Sequence, residues 1–164
     1  MAHALQFPDG IRPRFDALVP ALVGLLEGEV DRTANLANLA AALFEAFGWH
    51  WVGFYRVDQL RDELVLGPFQ GPVACTRLVR GRGVCAAAWE SGKTIVVPDV
   101  EAFPGHVACS ALSRSEVVVP VVVEGEVVAV LDVDAVEPDA FRDDHVEGLE
   151  RVVELIAARW NGWA

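Results

Sequence analysis

"SEVVVPVVVEGEVVAVLDVDA" runs from Ser115 to Ala135. Two Val-rich halves flank Glu124–Gly125, so the stretch reads as a β-hairpin turning there. The apolar runs are nearly continuous, which predicts strands covered on both faces. The outer ends of the hairpin carry the acidic residues Glu116, Asp132 and Asp134. Asp132 and Asp134 share a face because side chains alternate along a strand. The face of Glu116 depends on the turn. A two-residue turn pairs 123 with 126 and therefore 116 with 133, which points Glu116 away from both Asp. A three-residue turn, Val123–Gly125, pairs 122 with 126 and 116 with 132. Gly at the third loop position favours the second arrangement, and a bulge near Pro120 alters either count. Clustered, the three carboxyls raise one another's pKa, so that one stays a proton donor while others hold an ammonium group. Spacing alone slightly favours a plainer arrangement, two solvated Asp at a strand end and an unrelated Glu.

Upstream, "WHWVGFYRV" (49–57) and "DELVLGPF" (62–69) read as a strand pair, and "KTIVVPDV" (93–100) as a further strand. The flanks are helical. Phe15, Leu18, Leu22 and Leu26 recur at helix spacing, with a kink expected at Pro20. A second helix is predicted from an Asp31 cap to a stop at Gly48, and a third follows Gly83 through "VCAAAWES". The stretch Phe141–Trp160 repeats the pattern through Val146, Leu149, Val153 and Ile156. The fold class is therefore α+β, a central, mostly antiparallel sheet flanked by N- and C-terminal helices.

With 164 residues, 53% of them hydrophobic, the chain reads as one folded domain over 1–164. No apolar run approaches the roughly 18 residues of a membrane span, and the N-terminus carries no secretory pattern. The net charge of −11, without a Lys/Arg stripe, argues against nucleic acid as a partner. Three cysteines form no disulfide framework, which fits a reducing, cytoplasmic setting.

Cys85 sits among small apolar residues at a predicted helix start, where a buried, inert thiol is the better reading. Cys75 and Cys109 fall in Gly/Pro-containing loops, where reactive groups tend to lie. His106 and Cys109 have H-x-x-C spacing, but Cys75 and Cys85 lack the paired spacing of zinc ligands, so no metal is expected. His106 is expected to orient its loop through hydrogen bonds. Trp51 and Tyr55 are core candidates, with a place in a small pocket as the alternative.

Taken together, "WVGFY" (51–55), "LGPFQGPVAC" (66–75), "GRGVC" (81–85), "VPDV" (97–100), "FPGHVAC" (103–109), "SEVVVP" (115–120) and "LDVD" (131–134) resemble, in order and spacing, the free methionine-(R)-sulfoxide reductases. These are single GAF-domain enzymes, and the likeness covers about residues 15–160. It departs at Ala86, where relatives often have Gly, and at Ser110, where they usually have a small polar or acidic residue such as Asp. The resemblance implies thiol-dependent reduction of free L-methionine (R)-sulfoxide. It makes Cys109 the attacking cysteine, Cys75 the resolving one and Cys85 auxiliary, with a Cys75–Cys109 disulfide as the oxidised product. It places Glu116, Asp132 and Asp134 with Trp51 and Tyr55 around the substrate, the carboxyls also taking part in catalysis. No bound cofactor is implied; reducing power comes from thioredoxin and, behind it, NADPH. A homodimer through the terminal helices is compatible with the apolar first helix. The competing class is a GAF sensor of a small ligand such as a cyclic nucleotide, which an acidic pocket suits poorly.

Overall fold

The computed structural model describes residues 7–164; the reading of the N-terminus as carrying no secretory pattern falls partly on residues 1–6, outside that range. The elements follow in the order α1 (Ile11–Leu25), α2 (Arg32–Phe47), β1 (Trp51–Asp58), β2 (Glu63–Gln70), β3 (Arg77–Val79), α3 (Val84–Ser91), β4 (Ile95–Val97), β5 (Ser115–Val123), β6 (Glu126–Ala135) and α4 (Asp143–Ala157). The six strands form one sheet in the order β3-β2-β1-β6-β5-β4, with every pairing antiparallel. No helix among the described residues is long and apolar enough to cross a membrane.

The local signals explain the element ends. The Asp31 carboxylate accepts a hydrogen bond from the Ala34 N–H, satisfying a free donor at the start of α2. Gly48 ends the same helix in the left-handed conformation, with φ 65°. Pro20 lies inside α1, which continues beyond it to Leu25. The three-residue strand β3 was not anticipated. It is a short edge strand whose outer residues Arg77 and Val79 are exposed, so it carries almost no hydrophobic pattern.

Alternation along the strands divides the interior in two. Val52 and Phe54 of β1, Val117, Val119 and Val121 of β5, and Leu131 and Val133 of β6 face a core shared with α1, α2 and α4. Trp51, Tyr55, Val118 and Val130 face the other way, into a second core closed by α3, β4 and Leu78 of β3. The central strands are thus covered on both faces, as their Val runs imply.

The hairpin corrects the expected turn. Val123 pairs with Glu126, so the connection is a two-residue turn. Glu124 and Gly125 both have positive φ, 52° and 85°, the pattern of the primed turns whose twist suits adjacent strands. This turn alone would direct Glu116 away from the two Asp. The register then shifts between Val121 and Val122, because β6 carries one extra residue between Val127 and Ala129. Beyond this bulge Glu116 pairs with Asp134 and Val118 with Asp132. The three carboxyls share a face, as the resemblance implies and against the plainer arrangement that spacing alone slightly favours, and they do so through a bulge and not through a longer turn.

Candidate functional site

The site is a row of residues crossing the middle of the sheet. Trp51 of β1 pairs with Asp134 of β6, which pairs in turn with Glu116 of β5. One pleat further along, Gly53 pairs with Asp132. Adjacent strands lie about 4.8 Å apart, so these side chains rise side by side from one surface. They form the floor of a cleft of about 550 Å³ that opens to solvent. Tyr55, the start of α3 from Gly83 to Cys85, and the Cys109 loop complete its walls. Every residue singled out from the sequence lines this cleft except Cys75, which reaches it through a covalent bond.

That bond is a disulfide between Cys75 and Cys109, with Cα atoms 5.4 Å apart across 34 residues of chain. Cys75 sits in the loop between β2 and β3, and Cys109 in the loop that precedes β5. Cys85 is a buried free thiol on the first turn of α3. Its expected burial holds, but it faces the carboxyls and is not isolated from them. Cys85 Sγ and one oxygen each of Glu116 and Asp132 lie within 4.8 Å of one another. That spacing would admit a metal ion. The cysteines considered as ligands from the sequence are not gathered with it, since Cys75 and Cys109 are joined to each other.

The electrostatics follow from burial. Glu116 and Asp132 are only 6% and 7% exposed. Desolvation, and then the neighbouring carboxylates, hold both pKa values well above the usual range. Two unit charges 5 Å apart repel by about 3 kcal/mol at an effective dielectric of 20, so the trio does not ionise fully near neutrality. Asp134 is pushed up to about 6 by burial, partly offset by a hydrogen bond from Ser113. The Cys85 thiol is raised by burial and by the carboxylates, which makes it a poor nucleophile. One oxygen of Asp132 is buried without a hydrogen-bond partner. A cationic or protonated ligand group would satisfy it.

The aromatic residues combine both roles considered from the sequence. Trp51 and Tyr55 are buried in the core and also line the cleft. Their rings stack with centroids 5.9 Å apart, and Phe69 also stacks with Trp51, at 5.2 Å. The Trp51 indole N–H donates to the Pro72 carbonyl at 3.1 Å, and the Tyr55 hydroxyl donates to the Cys75 carbonyl at 2.9 Å. His106 departs from expectation. Its Nδ1 is buried without a partner, and burial lowers its pKa. The histidine bonded to the Cys109 loop is instead His50, whose Nε2 lies 3.0 Å from Ser110 Oγ. His50 was missed because nothing local marks it; its partner lies 60 residues away.

Comparison with known proteins places these features in context. The GAF domain family matches residues 31–160. The chain is 43% identical over 130 residues to the free methionine-R-sulfoxide reductase of Escherichia coli, covering 79% of this chain and 78% of that protein. It is 49% identical over 157 residues to GAF domain-containing protein A of Dictyostelium discoideum, covering 95% and 99%. Among solved structures, the free methionine-R-sulfoxide reductase of Neisseria meningitidis, in complex with its substrate, superposes with a TM-score of 0.95 at 47% identity over 98% of this chain and 97% of that one.

Proposed function

Because the chain belongs to the GAF-domain family of free methionine-R-sulfoxide reductases, we propose that it reduces free L-methionine (R)-sulfoxide to L-methionine through a sulfenic acid on Cys109. The observation that carries this reading is a pair of bondable cysteines, Cys75 and Cys109, beside a cleft floored by three carboxyls that must share protons.

The Cys109 thiolate attacks the sulfoxide sulfur. The sulfoxide oxygen is a poor acceptor of the electron pair unless it receives a proton, and a carboxylic acid with a raised pKa supplies one. Glu116, Asp132 and Asp134 are the donors at hand. The S–O bond to methionine breaks as the oxygen passes to the Cys109 sulfur; methionine leaves as the reduced thioether, and Cys109, oxidised by two electrons, keeps the oxygen and the donated proton as its sulfenic acid. The Cys75 thiol then condenses with it, releasing water and forming the Cys75–Cys109 disulfide. A dithiol protein, thioredoxin, reduces that disulfide by exchange and is itself oxidised, with NADPH as the electron source behind it. No bound cofactor takes part.

The acidic floor also accounts for a free amino acid as substrate. The ionised members of the trio hold the α-ammonium, which a peptide-bound methionine lacks. Trp51 and Tyr55 pack the methylthio end. Cys85 is auxiliary: its raised pKa and burial keep it out of the sulfur chemistry while its thiol lies against Asp132. An acidic cleft of this kind disfavours a phosphate ligand, which argues against a cyclic-nucleotide sensor.

The test is a single turnover of the fully reduced protein with each sulfoxide epimer. Cys109→Ser should give no methionine. Cys75→Ser should release one methionine per protein and then stall when thioredoxin, its reductase and NADPH are added. Normal cycling by Cys109→Ser, or no NADPH oxidation by the parent with either epimer, overturns the reading.

A further inference from the structure

Formation of the disulfide requires two loops, the β2–β3 loop and the loop before β5, to present sulfurs 34 residues apart in the chain to each other. Cys109 sulfenic acid and the Cys75 thiol must approach to bonding distance, lose water and form one S–S bond. Neither cysteine lies on a helix or strand, so something rigid must hold the loops that carry them.

That rigid element is β1. Its first residue, Trp51, donates to the Pro72 carbonyl, and Tyr55, on the same face, donates to the Cys75 carbonyl. The segment from Pro72 to Cys75 is therefore tied at both ends to one central strand. Two glycines make room for this arrangement. A Cβ at Gly71, where φ is 129°, would lie 2.7 Å from both the His50 carbonyl oxygen and the Trp51 ring. A Cβ at Gly53 would overlap Phe69, which stacks on Trp51. On the other loop, Ser110 directly follows Cys109, and its hydroxyl is bonded to His50, the residue that directly precedes β1. The same hydroxyl accepts from the Leu112 N–H at 3.3 Å. His50 lies outside the cleft lining.

We propose that His50, Trp51 and Tyr55 are positioning residues for disulfide formation, with His50 holding the Cys109 loop through Ser110 and the two aromatics holding the Cys75 loop through its backbone. The inference rests on the reaction proposed above and adds a role that contact with substrate does not cover. It predicts that loss of these bonds slows the second chemical step relative to the first.

The experiment follows one turnover of the reduced, full-length protein with free methionine (R)-sulfoxide, in the presence and absence of dimedone, which traps sulfenic acids. Methionine release and disulfide formation are timed separately, and the ratio of their rates is the readout. A slower first step by itself therefore does not count. In the parent, the disulfide should follow methionine release closely, with little trapped Cys109. In His50→Ala, Ser110→Ala and Tyr55→Phe the ratio should fall by about tenfold or more, with the dimedone adduct on Cys109 rising to match. His50→Gln keeps a side chain able to bond Ser110 and should restore most of the ratio. His50→Ala combined with Ser110→Ala should be no worse than either alone, since both remove one bond. Ratios equal to the parent's in His50→Ala and Ser110→Ala overturn this inference alone. Failure of Cys75→Ser to release methionine and accumulate the adduct overturns the underlying reaction, and this inference with it.

Discussion

Asp134 stands at the centre of the row Trp51–Asp134–Glu116, and its charge sets the charge of its neighbours. Its own pKa is about 6, and its carboxylate helps raise those of Glu116 and Asp132. Turnover needs a proton on the trio, so the rate should fall on the alkaline side as the last proton leaves. Asp134→Asn removes one repelling charge. The remaining pKa values then drop, and the alkaline limb of kcat should move to lower pH. A pH–rate profile checks this; an unmoved or higher limb counts against the proton-donor role. The same shift bears on stability. A carboxyl at 3.8 when unfolded and about 6 when folded favours the native state below pH 3.8 and loses that advantage as pH rises through 6. Its burial as a charge costs up to about 3 kcal/mol at pH 8. Asp134→Asn should therefore be more stable than the parent at pH 8, with little difference at pH 4, in urea unfolding at the two values.

Two features at the scale of elements tune the scaffold without touching the cleft. Glu124 occupies a left-handed position in the β5–β6 turn, with φ 52°. Asn tolerates that conformation better, so Glu124→Asn should raise stability by about 0.5–1 kcal/mol in urea unfolding. An unchanged midpoint would mean that the turn carries no strain. At the α1–α4 contact, a Cβ on Gly148 would overlap the Phe15 ring. Helix propensity favours Ala over Gly, but the overlap is with a fully buried aromatic, and overpacking wins. Gly148→Ala should lower stability by roughly 1–3 kcal/mol, read as a drop in Tm with the cleft chemistry retained. The hairpin also marks the limit of what spacing reveals at this scale. Alternation placed Asp132 and Asp134 on one face. Turn chemistry was read one residue too long, and the bulge at Val128 supplied the missing residue on β6. A bulge inside an all-Val run leaves no trace in hydrophobic pattern, because every neighbouring side chain is equally apolar.

The whole molecule has two cores back to back on one sheet, and they should respond differently to redox state. The helix-side core of α1, α2 and α4 has no cysteine. The cleft-side core takes in all three. Reduction of Cys75–Cys109 should increase amide hydrogen exchange in residues 71–76 and 103–112 while leaving α2 and α4 at their oxidised protection. Equal loss of protection in the helices would mean that the disulfide braces the entire fold. The sequence alone determined the α+β class, the Asp31 and Gly48 limits of α2, the buried Val strands and the common face of Asp132 and Asp134. Each of these follows from periods and caps acting within a few residues. The pairing of Cys75 with Cys109 entered through resemblance to a family, because spacing left it open. Only tertiary structure decided that Glu116 stands beside Asp134, that Cys85 faces the carboxyls, and that His50 reaches Ser110. Those contacts join residues 31 to 60 positions apart, or depend on a register changed by one bulged residue; local pattern carries no information about either.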